Sequence, residues 1–279
     1  MNTKRYAPNT IEELQALLAG NTDDLRILGG GTDLAIELRE NHQHPQGLIW
    51  LGNIEEAKGI EKTEEGLLIG AMTTMAELAE SRELSAAYQS LVMAAEAVGS
   101  EQIRSSATLG GNIANAAPAA DTLPPLMLLD AQVQIAGSGG LQWRTLKSIL
   151  SGEQRLSRNE AIIKIRLPKN KDGFKTVFNK LGSRQRVTIS RLSLALGVTM
   201  DGNVITDAKA YAGAIGLIPL EFEQAPNVLK GRSINPQTTE IFAGALSDLV
   251  KQAIPGRASL EYKAWSARAV AADTLAKLV

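Results

Sequence analysis

Residues 108–121 read Thr108-Leu-Gly110-Gly111-Asn112-Ile-Ala-Asn115-Ala-Ala-Pro118-Ala-Ala-Asp121, and few folds have a use for such a stretch. It carries almost no bulky side chain. Paired glycines reach backbone conformations closed to other residues and let the main chain come close to a ligand. Asn112 and Asn115 offer amide donors and acceptors, and Thr108 a hydroxyl. Pro118 stiffens the exit, and Asp121 places one carboxylate just before an apolar run. Two readings stand. The residues suit a diphosphate with a ribose attached, or they form a Gly/Ala-rich turn packed tightly against a helix.

A second glycine stretch lies upstream. Leu25-Arg26-Ile27-Leu28 reads as a short strand running into Gly29-Gly30-Gly31-Thr32-Asp33-Leu34, with a helical pattern beyond. Three consecutive glycines are costly in backbone entropy. They point to a loop whose N–H groups turn inward on something anionic, aided by the dipole of the following helix. The alternative is a flexible surface turn. The spacing is not Gly-x-Gly-x-x-Gly and no Lys-Ser/Thr follows, so neither a Rossmann nucleotide site nor a P-loop NTPase is indicated.

Composition removes several chemistries. The chain has no cysteine, so disulfides, thiolate nucleophiles, cysteine-ligated zinc and self-held iron–sulfur clusters are all excluded. Its two histidines, His42 and His44, fall in a polar stretch, where solvated side chains are far commoner than a metal site or a Ser–His–Asp triad. No metal ligand set and no catalytic acid or base is therefore assigned. A formal net charge of -1 gives no electrostatic footprint for nucleic acid. No apolar run is long enough for membrane insertion, and no apolar segment follows Lys4 and Arg5 as in a signal peptide; a cytoplasmic location is expected. At 279 residues the chain has room for two domains.

Local patterns fill in the rest. Thr10 and Glu13 suggest a capping box ahead of an Ile11, Leu14, Leu17, Leu18 stripe, ended at Gly20-Asn21. Strands are expected at 47–51, 66–70, 133–136 and 162–167, and helices from Thr73 and over 91–98. Residues 54–60 read as a short helical turn or link. The polar turn at 169–173 marks a domain boundary. Beyond it, strands at 174–181, 191–200 and 204–213 form a meander, with Asp201-Gly202 as a hairpin signal. Helical spacing dominates from Thr238 onward.

Together the two glycine stretches are far more specific than either alone. They resemble the FAD-binding subunit of the molybdenum hydroxylases, the family of xanthine, carbon monoxide and nicotinate dehydrogenase flavoproteins. Residues 29–34 resemble that family's Ala-Gly-Gly-Thr-Asp-Leu loop. Residues 108–121 are similar, nearly residue for residue, to its Thr-Ile-Gly-Gly-Asn-Ile-Ala-Asn-Ala-Ser-Pro-Ala-Ala-Asp motif. Gln102-Ile103-Arg104, residues 162–168 and Phe178-Asn-Lys180-Leu-Gly182 extend the likeness over essentially the whole chain.

The resemblance implies an α+β fold. A two-lobed FAD-binding domain, vanillyl-alcohol-oxidase/MurB-like and of PCMH type, would span 1–168, with lobes of about 1–58 and 59–168. A smaller carbon monoxide dehydrogenase flavoprotein C-terminal domain of antiparallel strands and helices would span 174–279. It further implies that Ile27, Leu28, Gly29, Gly30, Gly31, Thr32, Asp33 and Leu34 wrap the FAD diphosphate. Thr108, Gly110, Gly111 and Asn112 would continue that contact. Asp121 would accept a hydrogen bond from the cofactor, Ile162 would supply an apolar contact, and Lys180 would reach the flavin. Without the resemblance, Lys180 reads as a solvated strand lysine. Residues 182–188 align with a mobile loop near the flavin. In eukaryotic xanthine dehydrogenases that loop carries acids and governs NAD access; here it holds Arg184 and Arg186 and no acid.

The function so implied is electron transfer. A molybdopterin-binding large subunit would hydroxylate a small molecule, and a small subunit with 2Fe-2S clusters would relay electrons to FAD on this chain. An external acceptor would then reoxidise the flavin. A self-sufficient FAD-dependent oxidase or reductase and a flavin-free assembly scaffold are the alternatives. Poverty in histidine counts against the first, and intact glycine stretches against the second.

Overall fold

The structure, a computed structural model, describes residues 3–20, 24–184 and 187–279, with residues 85–87 described by their backbone alone. In chain order come β1 (Lys4–Tyr6), α1 (Ile11–Ala19), β2 (Leu25–Leu28), α2 (Leu34–Glu40) and β3 (Gly47–Trp50). A 3-10 turn at Glu55–Ala57 leads to β4 (Ile60–Thr63), β5 (Gly66–Gly70), α3 (Met75–Glu80), α4 (Arg82–Ala87), α5 (Gln89–Ala97) and α6 (Glu101–Arg104). Then follow α7 (Leu109–Asn115), α8 (Leu123–Leu128), β6 (Gln132–Gly137), β7 (Gly140–Thr145), α9 (Leu146–Ser151) and β8 (Ala161–Pro168). The rest is β9 (Phe174–Leu181), β10 (Leu192–Asp201), β11 (Val204–Gly213), β12 (Leu220–Glu221), α10 (Ala225–Leu229), α11 (Pro236–Ala253) and α12 (Leu260–Ala276).

These elements form two compact units that interleave along the sequence. The first comprises Met1–Glu77, Glu101–Ala116 and Asp130–Lys169; the second comprises Leu78–Ser100, Ala117–Leu129 and Asn170–Val279. The architecture is the mixed α+β one that the resemblance implies, with an antiparallel sheet and helices in the C-terminal part of the chain.

The first unit holds two sheets. One is parallel, in the order β1-β3-β2; the other is antiparallel, in the order β4-β5-β8-β6-β7. Helix α1 starts where its sequence dictates. The Thr10 hydroxyl accepts from the Glu13 N–H at 3.2 Å, while the Glu13 carboxylate accepts from the Asn9 N–H at 2.8 Å. The reciprocal bond thus reaches one residue further back than in the usual capping box. The Asn21 assigned to its end lies outside the described residues. Ile11, Leu14 and Leu18 pack from α1 onto Ile49, Ala136 and Ile163, so the stripe is core. A fully buried Ile49 or Ile163 is worth about 1.5–3 kcal/mol. At the head of α3, Thr74 and Glu77 complete a true capping box, each side chain accepting the other's N–H, at 3.2 and 2.7 Å.

In the second unit the sheet order is β12-β11-β10-β9, antiparallel throughout. Residues Leu192 to Val198 of β10 are buried without a break, because both faces of the sheet are covered. Leu192, Leu194, Leu196 and Val198 face a core built with Phe242 and Leu246 of α11 and Ala267 and Val270 of α12. On the other face, Thr176 of β9 accepts the Ser90 N–H of α5 at 3.1 Å. A Cβ on Gly213 of β11 would fall 2.7 Å from Pro124 of α8. The β10–β11 hairpin pairs Asp201 with Val204, so the two turn residues are Gly202, at φ +54°, and Asn203. The turn lies one residue beyond the Asp201-Gly202 pair read from sequence, with glycine at its first central position.

Candidate cofactor-binding site

In the first unit the two glycine stretches touch. A Cβ built on Gly29 would fall 2.7 Å from the Thr108 hydroxyl oxygen, and one on Gly30 only 1.8 Å from the Ser106 carbonyl oxygen. Backbone meets backbone there, which is why no side chain is tolerated. Gly31 turns the loop at φ +73°, and its carbonyl accepts the Ala35 N–H at 3.0 Å to begin α2. Among the described residues, no acceptor takes up the backbone N–H groups of Gly30, Gly31 or Thr32. Three open donors at a helix start, on a loop too crowded for any Cβ at Gly30, suit a phosphate-bearing cofactor. Ile27, Leu28, Thr32 and Leu34 are half-buried around this loop, and Asp33 is exposed.

The second stretch is not a loop. Thr108 caps a helix: its hydroxyl accepts the Gly111 N–H at 3.2 Å, and Leu109 and Ile113, one turn apart, are buried. Neither Gly110 nor Gly111 has a positive φ, so the unusual backbone conformation expected of them is absent. Gly110 is required for a different reason. Its Cβ would meet the Ala71 Cβ at 2.6 Å, and its N–H donates to the Ala71 carbonyl at 2.8 Å. The Leu109 N–H goes likewise to Thr73 at 2.9 Å. Those two donors are therefore spent on the protein, leaving the exposed Gly111 and half-buried Asn112 as the outward residues of the first turn. The left-handed conformation falls instead on Ala116, at φ +46°, which ends the helix.

Ile162 is buried at a bulge of β8, where Ile135 pairs with it and Gln134 with Lys164. The adjoining Ile163 carbonyl accepts the Ala71 N–H at 2.9 Å. Hydrogen bonds thus run from β8 through Ala71 to Gly110 and fix the base of α7.

The remaining two sequence-selected residues, Asp121 and Lys180, belong to the second unit and meet one another. Lys180 on β9 pairs across to Ser193, so its side chain lies on the sheet face that α5 and α8 cover. Its ammonium donates to Asp121 Oδ2 at 2.7 Å, to the Ala97 carbonyl at 2.6 Å and to the Thr188 carbonyl at 3.1 Å. The Ser190 hydroxyl donates to Asp121 Oδ1 at 2.5 Å. The Lys180 side chain is only 12% exposed, so it is not a solvated strand lysine. Burial pushes the Asp121 carboxyl above the ordinary aspartate range, with the Lys180 ammonium and the Ser190 hydroxyl pulling the other way. Ser190 and the Ala97 carbonyl carry no signal in sequence, reaching Asp121 and Lys180 from 69 and 83 positions away, whereas Thr188 ends the 182–188 loop already noted. Of the arginines noted in the 182–188 loop, Arg184 donates to the Val187 carbonyl at 2.8 Å, and Arg186 lies outside the described residues.

Comparison with known proteins gives concordant results. A family profile described as the FAD binding domain in molybdopterin dehydrogenase matches residues 1–170, and one described as the CO dehydrogenase flavoprotein C-terminal domain matches residues 178–278. The nicotinate dehydrogenase FAD-subunit of Eubacterium barkeri is 30% identical over 272 residues, covering 95% of this chain and 92% of its own. The carbon monoxide dehydrogenase medium chain of Hydrogenophaga pseudoflava is 25% identical over 260 residues, covering 92% and 90%. A crystal structure of Cu,Mo-CO dehydrogenase superposes with a TM-score of 0.87 at 25% identity, over 98% of this chain and 96% of that one. No helix among the described residues is long and apolar enough to cross a membrane.

Proposed function

The chain belongs to the FAD-binding subunits of the molybdopterin dehydrogenases, an oxidoreductase family, and from that premise we propose that it is the electron-transfer subunit of such an enzyme. On this reading it takes electrons from 2Fe-2S clusters on a small partner subunit and delivers them to an external acceptor. Substrate is oxidised on a molybdopterin-binding large subunit. The observation that carries the reading is the crowded glycine loop with its open N–H groups at Gly30, Gly31 and Thr32, packed on the Thr108-capped helix. Bound FAD supplies reversible uptake and release of electrons.

The chain's own residues bind and orient. The Gly29–Thr32 backbone would hold phosphate oxygens by main-chain N–H donors, which do not titrate near neutral pH and so remain donors throughout. Thr108 keeps α7 in register beneath that loop. Gly111 and Asn112 would extend the contact, whereas the N–H of Gly110 is committed to Ala71. Ile162 is assigned an apolar contact, and Asp121 and Lys180 further cofactor contacts, each testable by itself. The linear division into 1–168, with lobes of about 1–58 and 59–168, and 174–279 belongs to this proposal as the family's domain boundary. No residue is given a proton to move.

The chain has no cysteine to hold a cluster, so the reading requires the partners. Acid release of the chromophore should give FAD. In anaerobic stopped-flow, the flavin band of the isolated chain should not bleach on adding the hydroxylase substrate, and should bleach once the cluster and molybdenum subunits are present. Rapid bleaching in the isolated chain would replace this reading with a self-sufficient oxidase.

A further inference from the structure

The two members of the buried Asp121–Lys180 pair differ in what they have left to offer a ligand. An ammonium has three N–H groups, and those of Lys180 go to Asp121 Oδ2 at 2.7 Å, the Ala97 carbonyl at 2.6 Å and the Thr188 carbonyl at 3.1 Å. Ala97 is the last residue of α5, where the helix dipole favours a cation. A carboxylate has about four lone-pair sites. Among the described residues, Asp121 spends one on Lys180 and one on the Ser190 hydroxyl, which reaches Oδ1 at 2.5 Å. Lys180 would have to leave a partner to donate elsewhere, whereas Asp121 can accept again without losing a bond.

Ser190 lies just before β10, is 6% exposed, and belongs to neither glycine stretch. With Lys180 on one oxygen and Ser190 on the other, the carboxylate is fixed at both ends. The charged side chains nearby turn elsewhere. Arg191, next in the chain, stacks on the Tyr262 ring at 5.5 Å, and Glu96 on α5 is exposed. Helix α8, which opens two residues after Asp121, presents only apolar residues. Burial pushes the Asp121 carboxyl up, and the Lys180 ammonium and then the Ser190 hydroxyl oppose it.

We infer that Ser190 is a positioning residue for the cofactor: it acts through Asp121, fixing the carboxylate so that its free lone pairs accept from FAD. This rests on the electron-transfer reading and deepens it by one residue. A serine that merely filled space there would leave the pH dependence of FAD binding unchanged.

The deflavinated full-length chain is titrated with FAD across a range of pH for wild type, Ser190→Ala, Asp121→Asn and the double variant, with melts of each apoprotein alongside. Ser190→Ala takes away a donor that holds the carboxyl down, so the carboxyl takes its proton at higher pH. FAD binding should therefore weaken about tenfold toward acid pH, and less as pH rises. Asp121→Asn should bind more weakly than wild type with no such acid limb. Adding Ser190→Ala to it should change affinity by less than about twofold. Should Ser190→Ala fail to fold, Ser190→Cys keeps the volume with only a weak donor and gives the same readout. A wild-type pH profile in the serine variant overturns the inference. So does an equal loss with and without the Asp121 carboxylate, and so does wild-type affinity in Asp121→Asn. In each of those cases wild type still binds FAD and the electron-transfer reading stands. A wild-type chain that takes up no FAD refutes that reading itself.

Discussion

Gly30→Ala is the sharpest perturbation available. The new Cβ would lie 1.8 Å from the Ser106 carbonyl oxygen and 2.6 Å from its carbon, whereas real Cβ contacts essentially never fall below 3.0 Å. Going from 1.8 to 3.0 Å requires a shift of about 1.2 Å, and both partners are backbone, so no side chain can rotate away. Overpacking of this kind costs about 1–3 kcal/mol of stability. The larger effect is on the ligand. A donor displaced by more than 1 Å leaves the roughly 2.7–3.2 Å range of an N–H···O bond. Losing two charge-assisted bonds, each worth about 1.5–3 kcal/mol, weakens FAD binding by roughly 10²–10⁴. The assay is FAD titration of the deflavinated chain by fluorescence quenching, with thermal melts of the apoprotein alongside. Gly139→Ala is the control, because nothing lies within 4 Å of its Cβ position and its φ is not positive. Should Gly30→Ala bind FAD within about threefold of wild type, the loop does not hold the phosphates.

Thr108→Ala removes the cap on the Gly111 N–H and should cost about 1 kcal/mol, with Thr108→Ser restoring it; thermal midpoints read the difference. Lys180→Met strips the counter-ion from a buried Asp121 and leaves the Ala97 and Thr188 carbonyls unmet, so urea unfolding should show a loss of about 3–5 kcal/mol. Adding Asp121→Asn should recover part of that loss, and a cost below about 1 kcal/mol would contradict the burial of the pair. Burial alone would raise the Glu160 carboxyl, but the bidentate Arg144 guanidinium and the Ser157 N–H together hold it below the usual glutamate range. The unfolded chain therefore binds that proton more tightly. The stabilisation is complete above about pH 4.3 and is lost as pH falls through the lowered folded value. Urea midpoints of wild type and Glu160→Gln should accordingly converge on acidification, and parallel acid limbs would refute the sign.

Much of the fold was legible because local chemistry and tertiary context agree. Thr10 and Thr74 cap helices where their spacing predicts, and β9 and β11 span the residues their apolar runs mark. Legibility failed where context overrules propensity. Gly-Gly-Asn argues against a helix, yet Thr108 with Leu109 and Ile113 at i, i+4 spacing makes one. That capping residue and spacing were the readable signal. Strands β4 and β7 escaped because they are edges, with none of their residues buried and so no buried alternation to read. Helix α8 escaped for the opposite reason: all six of its residues are buried, so no polar face marks its period. At the site, the triple glycine was readable as a donor-rich loop. The Asp121–Lys180–Ser190 network was not, because it joins residues 59 and 69 positions apart and only the folded sheet brings them together.

The interleaving of the two units bears on how the chain is made. Neither unit is contiguous, so synthesis cannot finish one before starting the other. The first waits for Lys169, and the segments Leu78–Ser100 and Ala117–Leu129 wait for strands that emerge after Asn170. A truncation at Lys169 would leave Leu91 of α5 and Leu126 of α8 without β9, β10 and β11 to bury them. Such a fragment should be aggregation-prone rather than a working half. Contacts so distant in sequence also impose a high contact order, and refolding from denaturant should be slow. Leu78–Ser100 and Ala117–Leu129 are thus committed to a sheet that does not exist until the C-terminal half has been made.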